Sequence, residues 1–183
     1  QDSTNLINKS LHKEDKINID QIEFDDLNVY DMIASGKTVG VFQLESAGMT
    51  SFMKTLKPTC LEDVIAGIAL YRPGPMDFIP KYIEGKNNPE SITYECKELE
   101  HILAPTYGCI VYQEQVMQIV RDLAGYSLGR SDLVRRAMSK KKLDVMEKER
   151  QNFIYGNQEE NIPGCVNNGI SEKVANNIFD ERS

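Results

Sequence analysis

The stretch Thr59-Cys60-Leu61-Glu62-Asp63-Val64-Ile65-Ala66-Gly67-Ile68-Ala69-Leu70 decides the fold class. Thr59 and Glu62 have the Thr-x-x-Glu form of a capping box, in which a hydroxyl and a carboxylate satisfy the open N–H groups of a helix start. Behind it Leu61, Val64, Ile65, Ile68 and Ala69 recur at three- and four-residue steps. That is the period of a helix and not the alternation of a strand. Ala66 and Leu70 spread the apolar surface beyond one face, which predicts a helix central to a core. Arg72-Pro73-Gly74-Pro75 cannot continue it.

Upstream, Met49, Phe52, Met53 and Leu56 form a second helical face after Ser46, and Pro58 ends it. Thr38 to Phe42 is β-branched and apolar, which predicts a short buried strand. Asp26 suits the N-cap of a short helix through Ile33, closed by Ser35-Gly36. The polar, acidic first 26 residues are expected to be a helix remnant and then an extended stretch. Downstream, residues 84–97 are turn-rich, Leu99 to Leu103 is a helical turn, and Cys109 to Tyr112 is a candidate strand. Val116, Ile119, Val120 and Leu123 define another amphipathic helix. Gly125 and Gly129 bracket a turn, a helix follows from Ser131, and another covers Leu143 to Phe153. A polar loop over 155–170 leads to a last helix marked by Val174 and Ile178. The expected class is mainly α with a few short β-strands.

The chain has 183 residues, 40% hydrophobic and 27% charged, with a net charge of −7. This balance excludes collagen-like, low-complexity and wholly disordered chains. No run approaches the ~18 apolar residues of a membrane span, and no secretory signal is present. The Asn8-Lys9-Ser10 sequon therefore carries no weight, and the expected setting is cytoplasmic and reducing. Cys60, Cys96, Cys109 and Cys165 form no Cys-x-x-Cys pair, and with only His12 and His101 they match no zinc spacing. No metal site is expected in this chain. Gln1 in place of Met, and a last helix that ends without a stop signal, suggest a piece of a longer protein.

Charge is concentrated. Arg130 to Lys142 holds six basic residues (Arg130, Arg135, Arg136, Lys140, Lys141 and Lys142) against Asp132, a local +5 on a chain of net −7. Such a focused field suits a phosphate-rich partner. Leu133/Val134 and Ala137/Met138 repeat at i+4 and are expected to seat one face on the core. Arg135 and Arg136 then project outward, with Arg136 and Lys140 on one face. Planar guanidinium groups grip phosphate oxygens at two points, and lysines add mobile charge. The plainer alternative is a solvated basic face in which Asp132 and Arg136 form an ordinary i,i+4 pair.

Other phosphate chemistry is excluded by pattern. Ser35-Gly36-Lys37-Thr38 ends like a P-loop, but the position that needs the first glycine holds Asp31. Two-metal phosphoryl transfer needs clustered carboxylates, and no Asp-x-Asp occurs. Glu23-x-Asp25, Glu98-x-Glu100 and Glu147-x-Glu149 are expected to be solvated surface pairs. No hydrolase motif or Cys/His constellation is present.

Six blocks resemble the bacterial DNA polymerase III alpha subunit, the C-family replicative polymerase. They are Gly40-Val41-Phe42-Gln43-Leu44-Glu45-Ser46, Ala69-Leu70-Tyr71-Arg72-Pro73-Gly74-Pro75, Pro105-Thr106-Tyr107-Gly108, Tyr112-Gln113-Glu114-Gln115-Val116-Met117, Ala124-Gly125-Tyr126-Ser127-Leu128-Gly129, and Arg135-Arg136-Ala137-Met138-Ser139-Lys140-Lys141-Lys142. They run in the family's order. Departures are the segment Ile92 to Lys97 and Val134, where leucine is more usual.

The resemblance implies a multi-helix fingers-type domain. Residues 1–26 would enter from the palm, 27–156 form the fingers core, and 157–183 lead back towards the palm. It further implies that Arg135 and Arg136 face the triphosphate of an incoming dNTP. Lys140, Lys141, Lys142 and Arg130 become secondary phosphate or DNA contacts, and Arg72, Tyr107, Tyr112, Gln113 and Gln115 weaker candidates for lining the site. The catalytic, Mg2+-binding aspartates would lie in the palm, outside this chain, leaving no catalytic residue here and an isolated chain without activity. Expected partners are dNTP, primer-template DNA and other replicase subunits that bind elsewhere. The alternatives are a non-catalytic nucleic-acid-binding module and a structural helical scaffold.

Overall fold

The chain is described from a computed structural model over residues 2–139 and 143–180. Ten α-helices are found among the described residues. They are α1 (Asp2–Asn8), α2 (Leu27–Ser35), α3 (Ala47–Leu56), α4 (Leu61–Leu70), α5 (Ile79–Asn87), α6 (Glu100–Leu103), α7 (Gln113–Ala124), α8 (Leu128–Ser139), α9 (Leu143–Tyr155) and α10 (Glu172–Asp180). Short 3-10 turns link several of them. The chain divides into two compact units, residues 1–67 and 68–183, with the boundary inside α4.

In the first unit the first buried residue is Tyr30. Asp26 caps α2 by accepting the Asn28 N–H at 2.9 Å, and Gly36 closes the helix in the left-handed conformation at φ 75°. Ser46 caps α3 by accepting the Met49 N–H, and Met49, Phe52, Met53 and Leu56 are all buried, as their period requires. α4 starts one residue later than the Thr-x-x-Glu pattern implies. Asp63, not Glu62, reaches back, accepting the Thr59 N–H at 2.9 Å and its hydroxyl at 3.1 Å. Ile65, expected inside, is 47% exposed. α3 and α4 meet at Gly67, where an added methyl would lie 2.7 Å from Met53 Cε.

The expected strand at Thr38–Phe42 is not formed. Two consecutive tight turns occupy it, with Val41 N–H bonded to Thr38 O and Leu44 N–H to Val41 O. Gly40 and Gln43 take positive φ, which breaks any extended run. The Thr38 hydroxyl donates to Leu44 O at 2.6 Å and is buried, while Val39 and Phe42 point outward.

The second unit is built on α7, whose Val116, Ile119, Val120 and Leu123 face inward. They share one core with Leu99, Ile102, Leu103, Val134, Phe153, Ile154, Ile178 and Phe179. The expected strand at Cys109–Tyr112 has no neighbouring strand. Asn157↔Ile162 is an isolated β-bridge, and no β-strand occurs among the described residues. Gln115 replaces the absent partner. Its Oε1 accepts the N–H groups of Val111 (2.8 Å) and Tyr112 (2.9 Å), and its Nε2 donates to Ile102 O (3.1 Å) and the Thr106 hydroxyl (2.8 Å). Every strong hydrogen-bonding position of that amide is met, which buried polar groups require.

α9 and α10 are tied by Arg150, which donates to Asn176 and pairs with Asp180 at 2.5 Å. The intervening loop, expected to be polar, contributes Ile162, Cys165 and Ile170 to the core. It closes on itself at Gly156 and Gly164. A Cβ on Gly156 would lie 2.2 Å from Pro163 O, and one on Gly164 2.2 Å from Gly156 N.

Candidate functional site

The basic segment is carried by α8. The helix begins at Leu128, three residues before the expected start, because Ser127 supplies the cap: its hydroxyl accepts the Arg130 N–H at 3.2 Å. Gly129 thus lies inside the first turn. This earlier start alters the inward face. Ser131 is fully buried and Val134 is 2% exposed, whereas Leu133, expected on the underside, is 55% exposed. Ser131 is accommodated because its hydroxyl donates to Leu128 O at 2.7 Å.

With Ser131 and Val134 inward, Arg136 faces outward, and Asp132 and Arg135 lie on the flank between, each 29% exposed at the side chain. The two guanidinium groups converge on one carboxylate. Arg135 donates Nε and Nη2 to Asp132 Oδ1 at 2.9 and 2.7 Å, and Arg136 Nε meets Asp132 Oδ2 at 2.8 Å. Arg135 also donates Nη1 to Gln113 Oε1 at 2.8 Å, linking α8 to the first residue of α7. The Arg135 side chain is 29% exposed and that of Arg136 64%. Hydrogen bonding from Arg135, reinforced by the Arg136 charge, holds the Asp132 carboxyl below the usual carboxylate range. The i,i+4 pair anticipated for Asp132 is present, and the i,i+3 bond to Arg135 accompanies it. Two cations sharing one anion leave a local +1 at an exposed helix edge.

Arg130 differs. Its guanidinium is paired with Glu149 and, at 2.8 Å, with Glu160. Glu149 also accepts the Tyr126 hydroxyl at 3.1 Å. Burial, with Glu149 second, pushes the Tyr126 phenol far up. Arg130 Nε is buried without a hydrogen-bond partner among the described residues. Glu149, expected to be solvated, is 5% exposed, which corrects the reading of Glu147-x-Glu149. Helical spacing carries the missed signal: Glu149 stands three residues after Met146 and four before buried Phe153, on the inward stripe.

Of the weaker candidates, Gln113 is brought to Arg135, whereas Gln115 is buried within the fold. Tyr112 precedes α7 and Tyr107 packs its ring edge-on against Tyr82 at 5.1 Å. Arg72 is exposed in the turn after α4, its carbonyl accepting the Met76 N–H. Lys140, Lys141 and Lys142 lie outside the described residues. Among the described residues no group of three or more His, Cys, Asp or Glu could hold a metal ion, and no helix is long and apolar enough to cross a membrane.

Residues 2–161 match the family described as the bacterial DNA polymerase III alpha subunit finger domain. The DNA polymerase III subunit alpha of Staphylococcus epidermidis is 47% identical over 164 residues, covering 90% of this chain and 15% of that protein. The subunit of the same name in Bacillus subtilis is 44% identical over 176 residues, covering 95% of this chain and 15% of that protein. That of Halalkalibacterium halodurans is 45% identical over 164 residues, covering 90% and 14%. The chain thus spans about 15% of the length of these relatives. Matched over most of its length by that family, the chain belongs to the bacterial DNA polymerase III alpha subunit finger domain family.

Proposed function

We propose that the chain is the fingers portion of a replicative DNA-directed DNA polymerase and binds the triphosphate of the incoming dNTP through Arg135 and Arg136. The observation that carries this reading is the convergence of both guanidinium groups on one small carboxylate. An oxyanion already sits between them, at the spacing a phosphate oxygen pair can adopt. On this reading the arginines hold the triphosphate against primer-template DNA. They also offset the charge that develops as pyrophosphate leaves. Lys140, Lys141 and Lys142 add charge for the nucleotide or the DNA backbone. Arg130, engaged with two acids, serves to fix α8 and not to meet phosphate. Mg2+ would be held by carboxylates elsewhere in the full-length polymerase. The setting is the cytoplasm, with other replicase subunits bound through other parts of the polymerase.

The test is Arg135→Ala combined with Arg136→Ala in the full-length polymerase. Loss of two charged phosphate contacts should lower kcat/KM for dNTP about 100-fold or more, about 3 kcal/mol. Kinetics like those of the unmodified polymerase would reject the assignment.

A further inference from the structure

The two arginines are not held alike. Arg135 makes two bonds to Asp132 Oδ1 and a third to Gln113 on α7, so it is fixed from two helices. Among the described residues Arg136 is joined only to Asp132 Oδ2, through Nε, and leaves 64% of its side chain in solvent. An ion pair this exposed is weak and screened by salt, so a mobile polyanion competes for Arg136 at little cost. Asp132 cannot leave when that happens. It is carried on the same helix, and Arg135 retains it. Its negative charge therefore stays beside any phosphate that Arg136 takes up and opposes it.

We propose that Asp132 is an internal competitor for the triphosphate: it holds Arg136 ready when no nucleotide is bound, yields it to a phosphate, and limits how tightly that phosphate is held. The inference rests on the triphosphate reading above. It deepens that reading by assigning opposite consequences to neighbouring residues. Losing the arginines weakens nucleotide binding, whereas neutralising the acid between them strengthens it. A residue that merely supported the helix would have no such effect. A limit on phosphate affinity also has a use, since the product pyrophosphate must depart from the same two guanidinium groups.

The experiment uses the full-length polymerase carrying Asp132→Asn, assayed for dNTP incorporation on a primer-template, with inorganic pyrophosphate and tripolyphosphate as inhibitors. The KM for dNTP should fall about two- to fivefold, the scale of one exposed ion pair. Both inhibitors should act at correspondingly lower concentrations, and the gain should shrink as salt is raised. A KM that is unchanged or raised overturns the role of Asp132. Asp132→Ser, which keeps a short polar group on the helix, is measured in parallel so that the question stands if the asparagine variant misfolds. The Arg135→Ala/Arg136→Ala double variant separates the two ideas. If it behaves like the unmodified polymerase, the triphosphate reading fails and takes this inference with it. If it is impaired while neither Asp132 variant lowers KM, only the role of Asp132 fails.

Discussion

The first turn of α8 and its middle both set arginine against acid, but in opposite ratios. At Arg130 one guanidinium faces two carboxylates, Glu149 and Glu160, beneath the Tyr126 hydroxyl, with Glu149 buried. At Arg135 and Arg136 two guanidinium groups share Asp132 in a half-exposed position. The first arrangement is more than neutralised and only partly open to solvent, with the Arg130 side chain 22% exposed over the buried Glu149. The second keeps a surplus cation at the surface. Residue type is the same in both, so charge balance and burial tell the two arrangements apart, and on the proposed reading they separate the arginine that fixes a helix from those that meet the triphosphate.

Four measurements can break or sharpen this contrast. The largest effect is expected from the Arg135→Ala/Arg136→Ala double variant, with its loss of about 100-fold or more in kcat/KM and little change in the stability of α8. Arg130→Ala should act the other way. Stranding Glu149 should cost about 2–3 kcal/mol of local stability, read by amide hydrogen exchange over α8 and α9 in the full-length polymerase. If Arg130→Ala instead raised the KM for dNTP while exchange stayed unchanged, the contrast would be broken. Glu160→Gln, at a partner side chain 29% exposed, should lower local stability by about 1 kcal/mol or less.

The smallest effect is a titration. The Asp132 carboxyl lies below its ordinary value of 3.8, held there first by hydrogen bonding from Arg135. A group whose folded value is depressed contributes stability in full above its unfolded value. That contribution is lost as pH falls through the folded value. Carboxyl carbon shifts should therefore show Asp132 titrating on the acid side of free aspartate. Asp132 titrating at or above the ordinary value would mean that the two arginines do not grip it.

Much of the helical fold was legible because the inward stripes of α3 and α7 keep a strict period. The strands were misread for a physical reason. Short apolar, β-branched runs look alike whether a neighbouring strand or a side chain satisfies their N–H groups. Gln115 does so at Val111 and Tyr112, only four and three residues back, as the N3 side chain of the α7 capping box, and a tyrosine at the N-cap position does not announce such a cap in the sequence. At Thr38–Phe42 positive φ at Gly40 and Gln43 overrides β-propensity. In the candidate site the Asp132–Arg136 pair followed from i,i+4 spacing. The burden on Arg130 did not, because Glu149 and Glu160 come from α9 and the loop beyond it. The early start of α8 turned on one residue: Ser127 was a capping signal hidden between two glycines.

The abutting backbones at Gly156 and Gly164 fix the length of the segment between them. Neither position has room for a methyl group, and each contact is made by main-chain atoms of the other side, so neither can adjust to relieve the other. Glu160 sits midway along this closed span. Its carboxylate makes the contact with Arg130, and the buckle sets where that side chain starts from. An added or deleted residue anywhere in the span would unfasten the loop and, with it, one of the two carboxylates that anchor the start of α8.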